Sequence, residues 1–324
     1  MSKILVAIAD TVFPNWEPAE KVLADLNVSL ERSENPSKEA ILSVARDAEA
    51  LFVTYAQITA EVINGLEKCK VIGRFGVGTD NIDIEAATKA GIVVTYAPLY
   101  CLDEVSDHAM TTLLALARKI PFSNQMVHNG RWEMPAVVPI RRLKGRTLGL
   151  VGLGNIAQAV VGKAQAFGIK TIAADPYAPD DLFTKMNTQK VELEELYEKS
   201  DYISVHAPLT PETQNMFSTE AFRKMKNDAL LINTSRGPLV DIDALVEALE
   251  KGEIGGAALD VLPQEPPSSD SPLFGREDLI LTPHTGFYSE DALLDLQTTV
   301  AKDVAAVLNG AQPKFPVNPD VFTK

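Results

Sequence analysis

Short apolar segments alternate with helical patterns along most of the chain, and this alternation restricts the fold more than any other feature. The first hundred residues contain the runs "KILVAIA", "ALFVTYA", "VIGRFGV" and "IVVTYAP", separated by amphipathic stretches such as "KEAILSVARDA". Apolar runs of strand length that alternate with helices are typical of parallel sheets covered by helices on both faces. This part of the sequence therefore predicts an α/β fold.

The alternation begins again after a long, largely apolar helix predicted at residues 103–119. The later runs are "TLGLVGLG", "TIAADPY", "YISVHAPL", "ALLINTS" and "AALDVL". A chain of 324 residues is long for one hydrophobic core, so two domains are expected. We predict two doubly wound parallel-sheet domains: a Rossmann domain at 101–288, inserted into a flavodoxin-like domain formed by 1–100 and 289–324.

The composition argues against several classes of function. The formal net charge is −14, whereas nucleic acids and anionic membrane surfaces bind clustered Lys and Arg. No run approaches the about 20 apolar residues that span a membrane. Two cysteines, Cys69 and Cys101, have neither disulfide-framework nor metal-ligand spacing, which favours reduced thiols in the cytoplasm and predicts no metal site. A small molecule is the expected partner.

A glycine-rich turn joins a strand to a helix in the second series. The stretch "GLVGLGNIAQAVV" contains Gly152 and Gly154, with the small Ala157 at the third position of the motif. Such a turn lets backbone N–H groups at a helix N-terminus approach a pyrophosphate. Asp175 ends the next strand about 20 residues on, where a carboxylate accepts hydrogen bonds from an adenosine ribose. Because "DPYAPDD" supplies no Lys or Arg for a 2′-phosphate, NAD is predicted over NADP; a glycine turn without a ligand is the alternative.

Polar side chains follow three later strands of the second series. Arg236 follows "LLINTS", Glu265 comes a turn after "AALDV", and His284 follows "LILTP". Open α/β sheets bind ligands at the carboxyl ends of their strands, so these side chains are expected at one edge. There Arg236 suits a carboxylate, and Glu265 beside His284 favours the imidazolium, an acid able to protonate a carbonyl oxygen. Singly, the three could be a helix cap, a solvated charge and a packed histidine; together, beside a nicotinamide, they predict hydride transfer to a 2-oxo acid.

A second glycine pair, Gly76 and Gly78 in "RFGVGTDNID", follows a strand of the first series. No acidic strand end follows at the spacing of the dinucleotide motif, and residues 79–81 suit a turn and a helix cap. We interpret the pair as a loop that presents backbone donors to a ligand, with an ordinary strand-end turn as an equal alternative. Arg74, just before the loop, could meet a phosphate or a second carboxylate, or could be a surface charge.

Five stretches occur in an order typical of one enzyme family: "GRTLGLVGLGNIA", "SVHAPLTPET", "LLINTSRGPLVD", "AALDV" followed by "EP", and "TPHTG". Over nearly its whole length the chain resembles the D-isomer-specific 2-hydroxyacid dehydrogenases, in the branch of phosphoglycerate dehydrogenases, glyoxylate/hydroxypyruvate reductases and C-terminal binding proteins. The resemblance implies an NAD-dependent oxidoreductase acting on a small 2-oxo or 2-hydroxy acid. It also implies a homodimer formed through the helix at 103–119 and the arm after it.

The resemblance assigns roles to individual residues of the second domain. It implies a catalytic Arg236 and a Glu265–His284 acid/base pair in which His284 donates the proton. Of the remaining histidines, His206 is expected to order a loop near the adenine, and His108 is expected to be structural or solvated. The residues expected to contact the cofactor are Gly152, Gly154, Asn155, Ile156, Asp175, Ala207, Thr213, Thr234, Ser235, Arg236, Asp260, His284 and Gly286.

In the first domain, the resemblance implies that backbone N–H groups of Val77 and Gly78 hold the substrate carboxylate, which Arg236 also binds. Arg74 is a further substrate-binding candidate. Tyr100 lies where the family more often has an Asn-x-Pro-Gly sequence, so it is a candidate for substrate specificity or, equally, for packing.

Other functions stay open from the sequence. Formate-type dehydrogenases replace the acid partner of the histidine by Gln, and Glu265 argues against them. A phosphite-type dehydrogenase has a similar Arg-Glu-His set, and an NAD-sensing interaction module like the C-terminal binding corepressors would bind NADH without appreciable turnover. The chain ends at 324 without an added regulatory domain, which argues against a long phosphoglycerate dehydrogenase. Glyoxylate, hydroxypyruvate and 3-phosphohydroxypyruvate are all expected substrates.

Overall fold

A computed structural model describes residues 3–323. The strands within these residues are β1 (Ile4–Ile8), β2 (Val28–Arg32), β3 (Ala50–Val53), β4 (Val71–Arg74), β5 (Val93–Thr95), β6 (Thr147–Val151), β7 (Lys170–Ala174), β8 (Gln189–Lys190), β9 (Tyr202–Val205), β10 (Leu230–Asn233), β11 (Gly256–Leu259) and β12 (Leu279–Leu281). The α-helices are α1 (Glu17–Leu23), α2 (Lys38–Ala45), α3 (Ala60–Asn64), α4 (Ile84–Lys89), α5 (Leu102–Ala117), α6 (Ile120–His128), α7 (Asn155–Ala166), α8 (Asp180–Lys185), α9 (Leu193–Lys199), α10 (Thr219–Lys224), α11 (Ile242–Lys251) and α12 (Glu290–Leu308). Short 3₁₀ helices lie at Ala24–Leu26, Met134–Val137, Gly237–Leu239 and Pro319–Thr323.

The chain divides into two compact units. The first unit comprises the residues up to Cys101 together with those from Ser289 onward, and the second unit comprises Leu102–Tyr288. Each unit has its own parallel sheet, because β1–β5 lie in the first and β6–β12 in the second. Between residues 3 and 323, none of the helices combines the length and the apolar character needed to cross a membrane.

The first unit contains a five-stranded parallel sheet in the order β2-β1-β3-β4-β5. This is the strand order of flavodoxin-like sheets. The central strand β3, "ALFV", is buried along its whole length, as expected when helices cover both faces. Helix α12 packs against β4 at Gly73, where a Cβ would lie only 2.7 Å from Val304 and 2.8 Å from Val300.

The second unit contains a seven-stranded parallel sheet in the order β12-β11-β10-β9-β6-β7-β8. The chain enters at β6 in the interior of the sheet, adds β7 and β8 on one side, and then crosses over to add β9–β12 on the other. The direction of winding therefore reverses between β6 and β9, which is the Rossmann arrangement and the usual position of a ligand. The two sheets together confirm the predicted fold class.

Strand β10 shows how the core of the second unit is built. Leu231 packs with Phe217 and Leu245, whereas the next residue, Ile232, packs with a separate cluster that includes Leu148. Successive residues of a strand point to opposite faces, so both faces of this sheet are covered by apolar side chains of the helices. Each fully buried side chain of this size stabilises the fold by about 2 kcal/mol relative to exposure.

Several elements differ from the sequence-based expectations. Strands β2 and β8 were not predicted; β2 is only partly buried and β8 is exposed, so edge strands such as these lack the apolar runs that predict a strand. The long helix predicted at 103–119 ends at Ala117. Lys119 then takes a left-handed conformation with φ of 52°, and α6, which no pattern predicted, begins at Ile120.

The turn after β4 also differs in its details. The predicted helix cap at 79–81 is wrong: α4 is capped by Asp83, whose carboxylate accepts a first-turn backbone N–H at 2.9 Å. The Asn81 side chain is buried and instead donates to the backbone carbonyls of Thr54 at 3.3 Å and Ala56 at 2.9 Å. Asn81 therefore fastens the loop after β4 to the loop after β3.

Candidate active site

The predicted site residues of the second unit all follow the carboxyl ends of parallel strands. The glycine turn follows β6, Asp175 follows β7, Thr234–Arg236 follow β10, Asp260 follows β11, and His284 lies just beyond β12. Parallel strands end at the same edge of a sheet, so the topology brings residues that are distant in sequence to one edge.

His284 and Glu265 form a hydrogen-bonded pair. The His284 Nδ1–H donates to Glu265 Oε2 at 2.7 Å, and Glu265 Oε1 accepts the Leu262 backbone N–H at 2.8 Å. Each carboxylate oxygen therefore holds a fixed donor. Because Nδ1 is committed to Glu265, proton exchange between this imidazole and a bound molecule falls to Nε2.

The charges around Glu265 keep it ionised. Its partial burial works to raise the pKa, but hydrogen bonds from His284 and the Leu262 N–H, together with the positive charges of His284 and Arg236, bring the pKa of Glu265 below its ordinary value. The influence of Arg236 shows that its guanidinium lies near the pair. The structure thus brings together the three residues that the sequence singled out.

The backbone at His284 is held in an uncommon conformation by Asp260. His284 has a φ of 52°, in the left-handed region that favours glycine. The Asp260 carbonyl accepts the His284 N–H at 2.8 Å, while its carboxylate accepts the N–H groups of Thr285 at 2.9 Å and Gly286 at 2.8 Å. A Cβ at residue 286 would lie 2.8 Å from Asp260 Oδ2, so glycine is required there. The Asp260 carboxylate, predicted to contact the cofactor, is engaged by this turn.

The end of β10 is ordered by Asn233, which sequence reasoning missed. The Asn233 side chain donates to the Arg236 carbonyl at 2.8 Å and accepts the Ser235 N–H at 3.0 Å. Asn233 is fully buried, and these two hydrogen bonds fix the backbone of Ser235 and Arg236. A polar residue at the end of the buried run "LLIN" was the signal that could have identified it.

Gly237 connects Arg236 to the Glu265 loop. A Cβ at residue 237 would lie 1.9 Å from the carbonyl carbon of Leu262 and 2.2 Å from its oxygen, so the two backbones are in direct contact. Leu262 is the residue whose N–H holds Glu265. The backbone next to Arg236 and the backbone that holds Glu265 therefore meet at this point.

The glycine turn after β6 has the geometry of a pyrophosphate cradle. Gly152 has a φ of 91°, and a Cβ there would lie 2.8 Å from the His206 carbonyl oxygen, so the turn packs closely on the end of β9. At Gly154 a Cβ would meet no atom within 4 Å, and no side chain caps helix α7, which begins at Asn155 and Ile156. Open space before an uncapped helix N-terminus suits a phosphate group.

Asp175 is held rigidly at the end of β7. Its Oδ2 accepts the Leu153 N–H at 2.8 Å, and its Oδ1 accepts the N–H groups of Tyr177 at 2.9 Å and Ala178 at 3.1 Å. A carboxylate so placed beside the glycine turn suits the ribose hydroxyls of NAD and would repel a 2′-phosphate.

Residues after β9 and β10 complete the fit to a dinucleotide. Thr234 Oγ1 is buried and has no hydrogen-bond partner in the part of the chain that the structure describes, so a ligand atom is its expected partner. Ser235 Oγ donates to the Ala207 carbonyl at 2.6 Å, and Thr213 Oγ1 donates to the Pro208 carbonyl at 2.7 Å. Both hydroxyls order the loop after β9. Together with the glycine turn and Asp175, these residues fit NAD.

His206 has a structural environment. Its Nε2 lies 2.9 Å from Ser204 Oγ, and burial lowers the pKa of His206 to about 4. The ring is therefore neutral at ordinary pH and does not act as an acid there.

The substrate-binding candidates of the first unit cluster at the end of β4. Arg74 is buried, its Nη1 donates to the Phe75 carbonyl at 2.9 Å, and the guanidinium occupies the space in which a side chain of Gly76 would lie. The alternative of a surface charge at Arg74 is therefore wrong. Val77 and Gly78 follow directly and are partly buried.

Tyr100 lies close to Arg74. Burial raises the pKa of Tyr100, and the neighbouring Cys101 and Tyr55 raise it further, whereas the positive charge of Arg74 acts in the opposite direction. Tyr100 is thus a neutral phenol beside a buried cation. This location is compatible with either of the two roles expected for it.

The two cysteines are free thiols. Burial raises the pKa of Cys69 to about 12, which leaves its thiol unreactive, and Cys101 is buried. Among residues 3–323, no group of three or more His, Cys, Asp or Glu side chains is placed to hold a metal ion.

Known proteins are similar to this chain in sequence and in fold. Residues 110–286 match the family described as "D-isomer specific 2-hydroxyacid dehydrogenase, NAD binding domain". The chain is 41% identical to the D-3-phosphoglycerate dehydrogenase of Methanocaldococcus jannaschii over 98% of its own length and 60% of that protein. It is 38% identical to the glyoxylate reductase of Korarchaeum cryptofilum, over 88% of this chain and 87% of the relative.

A solved structure extends the comparison to three dimensions. The D-lactate dehydrogenase of Aquifex aeolicus, crystallised with NAD and lactic acid, has a TM-score of 0.86 to this chain at 28% identity, covering 94% of this chain and 96% of the other. The phosphoglycerate dehydrogenase relative is longer, and this chain spans about 60% of its length.

The fold and the strand-end residues define an NAD-binding α/β protein with an Arg-Glu-His cluster beyond the carboxyl ends of the strands of its Rossmann sheet. The chain belongs to the D-isomer specific 2-hydroxyacid dehydrogenase family. The predicted family and the predicted cofactor, NAD, are confirmed.

Proposed function

We propose that this protein reduces a small 2-oxo acid to the D-2-hydroxy acid with NADH, and catalyses the reverse reaction with NAD. The observation that carries the proposal is the 2.7 Å bond between His284 and Glu265, close to Arg236, at the edge of an NAD-binding sheet. NADH, when bound, supplies the hydride that adds to C2 of the substrate.

His284 is the proposed proton donor. Its Nε2–H protonates the C2 oxygen as the carbonyl is reduced, while Glu265 orients the ring and stabilises its positive charge through Nδ1. In the oxidation direction His284 Nε2 accepts the hydroxyl proton. The Asp260 hydrogen bonds to residues 284–286 hold the ring in place, so little reorganisation accompanies the proton transfer.

Arg236 is proposed to bind the substrate carboxylate and carbonyl. A guanidinium presents two parallel donors, which suits the planar 2-oxo acid group. For Val77 and Gly78 we propose the carboxylate contact through backbone N–H groups that the family resemblance implies. Arg74 and Tyr100 are the proposed specificity residues, because a buried cation beside a neutral phenol suits a substrate with a second polar or anionic group.

The proposed substrates are hydroxypyruvate, glyoxylate and 3-phosphohydroxypyruvate. Relatives named phosphoglycerate dehydrogenase and glyoxylate reductase support this range. The two free cysteines support a reducing, cytoplasmic location.

A homodimer is also proposed. Apolar side chains on and after α6 are exposed, among them Trp132 at 87% and Met134 at 72%. Exposed apolar patches of this kind are typical of association surfaces. Light scattering should give twice the mass of the chain, and Trp132→Lys should shift the protein towards monomer without changing its circular dichroism spectrum. A wild-type monomer at high concentration would exclude the dimer.

An NADH-oxidation assay over the three 2-oxo acids tests the proposed reaction. We expect turnover with at least one of them and dependence on Arg236, since Arg236→Lys removes the planar donor pair. NADH binding without turnover of any of these acids would contradict the proposed reaction and favour an NAD-sensing module or a phosphite-type dehydrogenase.

A further inference from the structure

A line of hydrogen bonds runs beneath the His284 turn from helix α5 to the end of β11. His108 on α5 places Nε2 2.9 Å from Thr282 Oγ1, and Thr282 Oγ1 donates to Asp260 Oδ1 at 2.6 Å. His108 and Thr282 are 174 residues apart in the sequence. Asp260 is buried, and the His108 side chain is mostly shielded from solvent. We refer to His108, Thr282 and Asp260 as the His108 relay.

The relay has a fixed direction. Thr282 has one hydroxyl hydrogen, which it gives to Asp260. The hydroxyl can therefore only accept at its contact with His108, so the hydrogen of that bond must reside on His108 Nε2. In the neutral ring this is the Nε2–H tautomer. The tautomer follows from the hydrogen-bond network and is directly measurable.

Asp260 links Thr282 to the backbone turn at residues 284–286. Besides Thr282, it holds the backbone N–H groups of His284, Thr285 and Gly286. The left-handed conformation of His284 is unfavourable for a residue other than glycine, and it persists only where the surroundings hold it. Without a donor from α5, the Thr282 hydroxyl would lose one of the bonds that orient it towards Asp260.

We propose that His108 is a positioning residue for His284, acting through Thr282 and Asp260 to hold the backbone turn that aims the imidazole. This inference rests on the proposed function of His284 as a proton donor. His108 Nε2 also lies 3.5 Å from Asp260 Oδ1, and the role proposed for it is one of position and not of proton transfer. A packing role for His108 predicts no dependence on its hydrogen-bond donor, whereas positioning requires that donor.

Nuclear magnetic resonance of ¹⁵N-histidine protein tests the relay without reference to activity. The chain has four histidines, so the ring signals can be assigned by single substitutions. We expect a hydrogen on His108 Nε2, and in His108→Leu we expect the His284 ring signals to shift. In His108→Gln, whose side-chain amide can replace the Nε2–H donor, they should stay close to wild type. A His108 ring with no hydrogen on Nε2 would overturn the relay.

Kinetics then test the consequence for catalysis. His108→Leu and Thr282→Val should each lower kcat roughly tenfold with little change in the KM for NADH, whereas His108→Gln and Thr282→Ser keep most of the rate. The double variant His108→Leu/Thr282→Val should lose no more than the worse single variant. Unchanged kcat in His108→Leu, or multiplicative losses in the double variant, would contradict positioning through Thr282. If wild type turns over no 2-oxo acid, the proposed function fails, and the resonance measurements still decide the relay.

Discussion

Replacing Glu265 by Gln removes one charge while keeping the shape of the side chain. In the structure its two oxygens accept the His284 Nδ1–H at 2.7 Å and the Leu262 N–H at 2.8 Å. An amide offers only one oxygen, so one of these donors would face an NH₂ group. The surviving bond would also change from a charge-assisted one to a neutral one.

The size of the effect follows from these two losses. Hydrogen bonds to charged groups contribute about 1.5–3 kcal/mol and neutral ones about 0.5–1.5 kcal/mol, so loss of the charge costs about 1–2 kcal/mol. Loss of a partner for the second donor adds about 1 kcal/mol. Because the pair is partly exposed, the lower end applies, and about 2 kcal/mol corresponds to a roughly 30-fold fall in kcat/KM.

The assay is NADH oxidation with the preferred 2-oxo acid from mildly acidic to mildly alkaline pH. The pKa of Glu265 lies below its ordinary value, so its carboxylate stays ionised throughout that range and wild type should be faster than the variant at every pH in it. The advantage that comes from the carboxylate charge should be lost as pH falls through the lowered pKa. Glu253→Gln, which alters a glutamate paired with Arg223 at 3.9 Å, is the matched control. A wild-type to variant ratio of kcat/KM below about twofold, or a difference in kcat/KM that vanishes near pH 6, would refute the role assigned to Glu265.

Two further predictions concern the cofactor and stability. Asp175→Ala should weaken NAD binding and reduce the preference for NAD over NADP, because it removes the ribose acceptor and the repulsion of a 2′-phosphate. Fluorescence titration of wild type and variant with each cofactor checks this. An unchanged ratio of the dissociation constants for NAD and NADP would count against the ribose contact. Asp201→Asn should lower the free energy of unfolding by about 2 kcal/mol in urea, because Asp201 is buried and accepts bonds from Arg146 at 2.9 Å and Lys226 at 3.0 Å. Burial works to raise the pKa of Asp201, but the hydrogen bonds from the Thr147 N–H, Lys226 and Arg146 lower it overall. The stabilisation by the carboxylate should therefore be complete at neutral pH and be lost as pH falls through the lowered pKa. A difference in unfolding free energy between wild type and variant that grows in acid would contradict this role of Asp201.

The cluster at the sheet edge could be predicted from sequence because two simple rules combine. Apolar runs identify the strands, and the polar residues that end them, such as Arg236 and His284, must meet at one edge if the strands are parallel. The glycine turn at Gly152 was recognisable because only glycine tolerates its positive φ and its close approach to His206. These features depend on local chemistry and strand order alone.

Other features depend on side-chain packing that no local pattern reveals. An arginine before a glycine loop suits a surface or a buried position equally. Arg74 is buried because its guanidinium fits into the space that a side chain at Gly76 would otherwise occupy. Asp260 was expected to contact the cofactor, and nothing in the sequence indicated that the turn after β12 brings two backbone N–H groups and a hydroxyl to its carboxylate and a third N–H group to its carbonyl. The contact between His108 and Thr282 joins α5 to the residue that follows β12, 174 positions away in the sequence, and no motif spacing predicts it.

The central claim is that His284 transfers the proton during reduction of a 2-oxo acid. Its most direct test is kcat for wild type and His284→Asn with hydroxypyruvate, glyoxylate and 3-phosphohydroxypyruvate, measured beside the Kd for NADH. We predict turnover by wild type on at least one acid, a fall of about 10³-fold in the variant, and a Kd for NADH within about threefold of wild type. Equal turnover in the variant, or a loss explained entirely by weaker NADH binding, would contradict the claim.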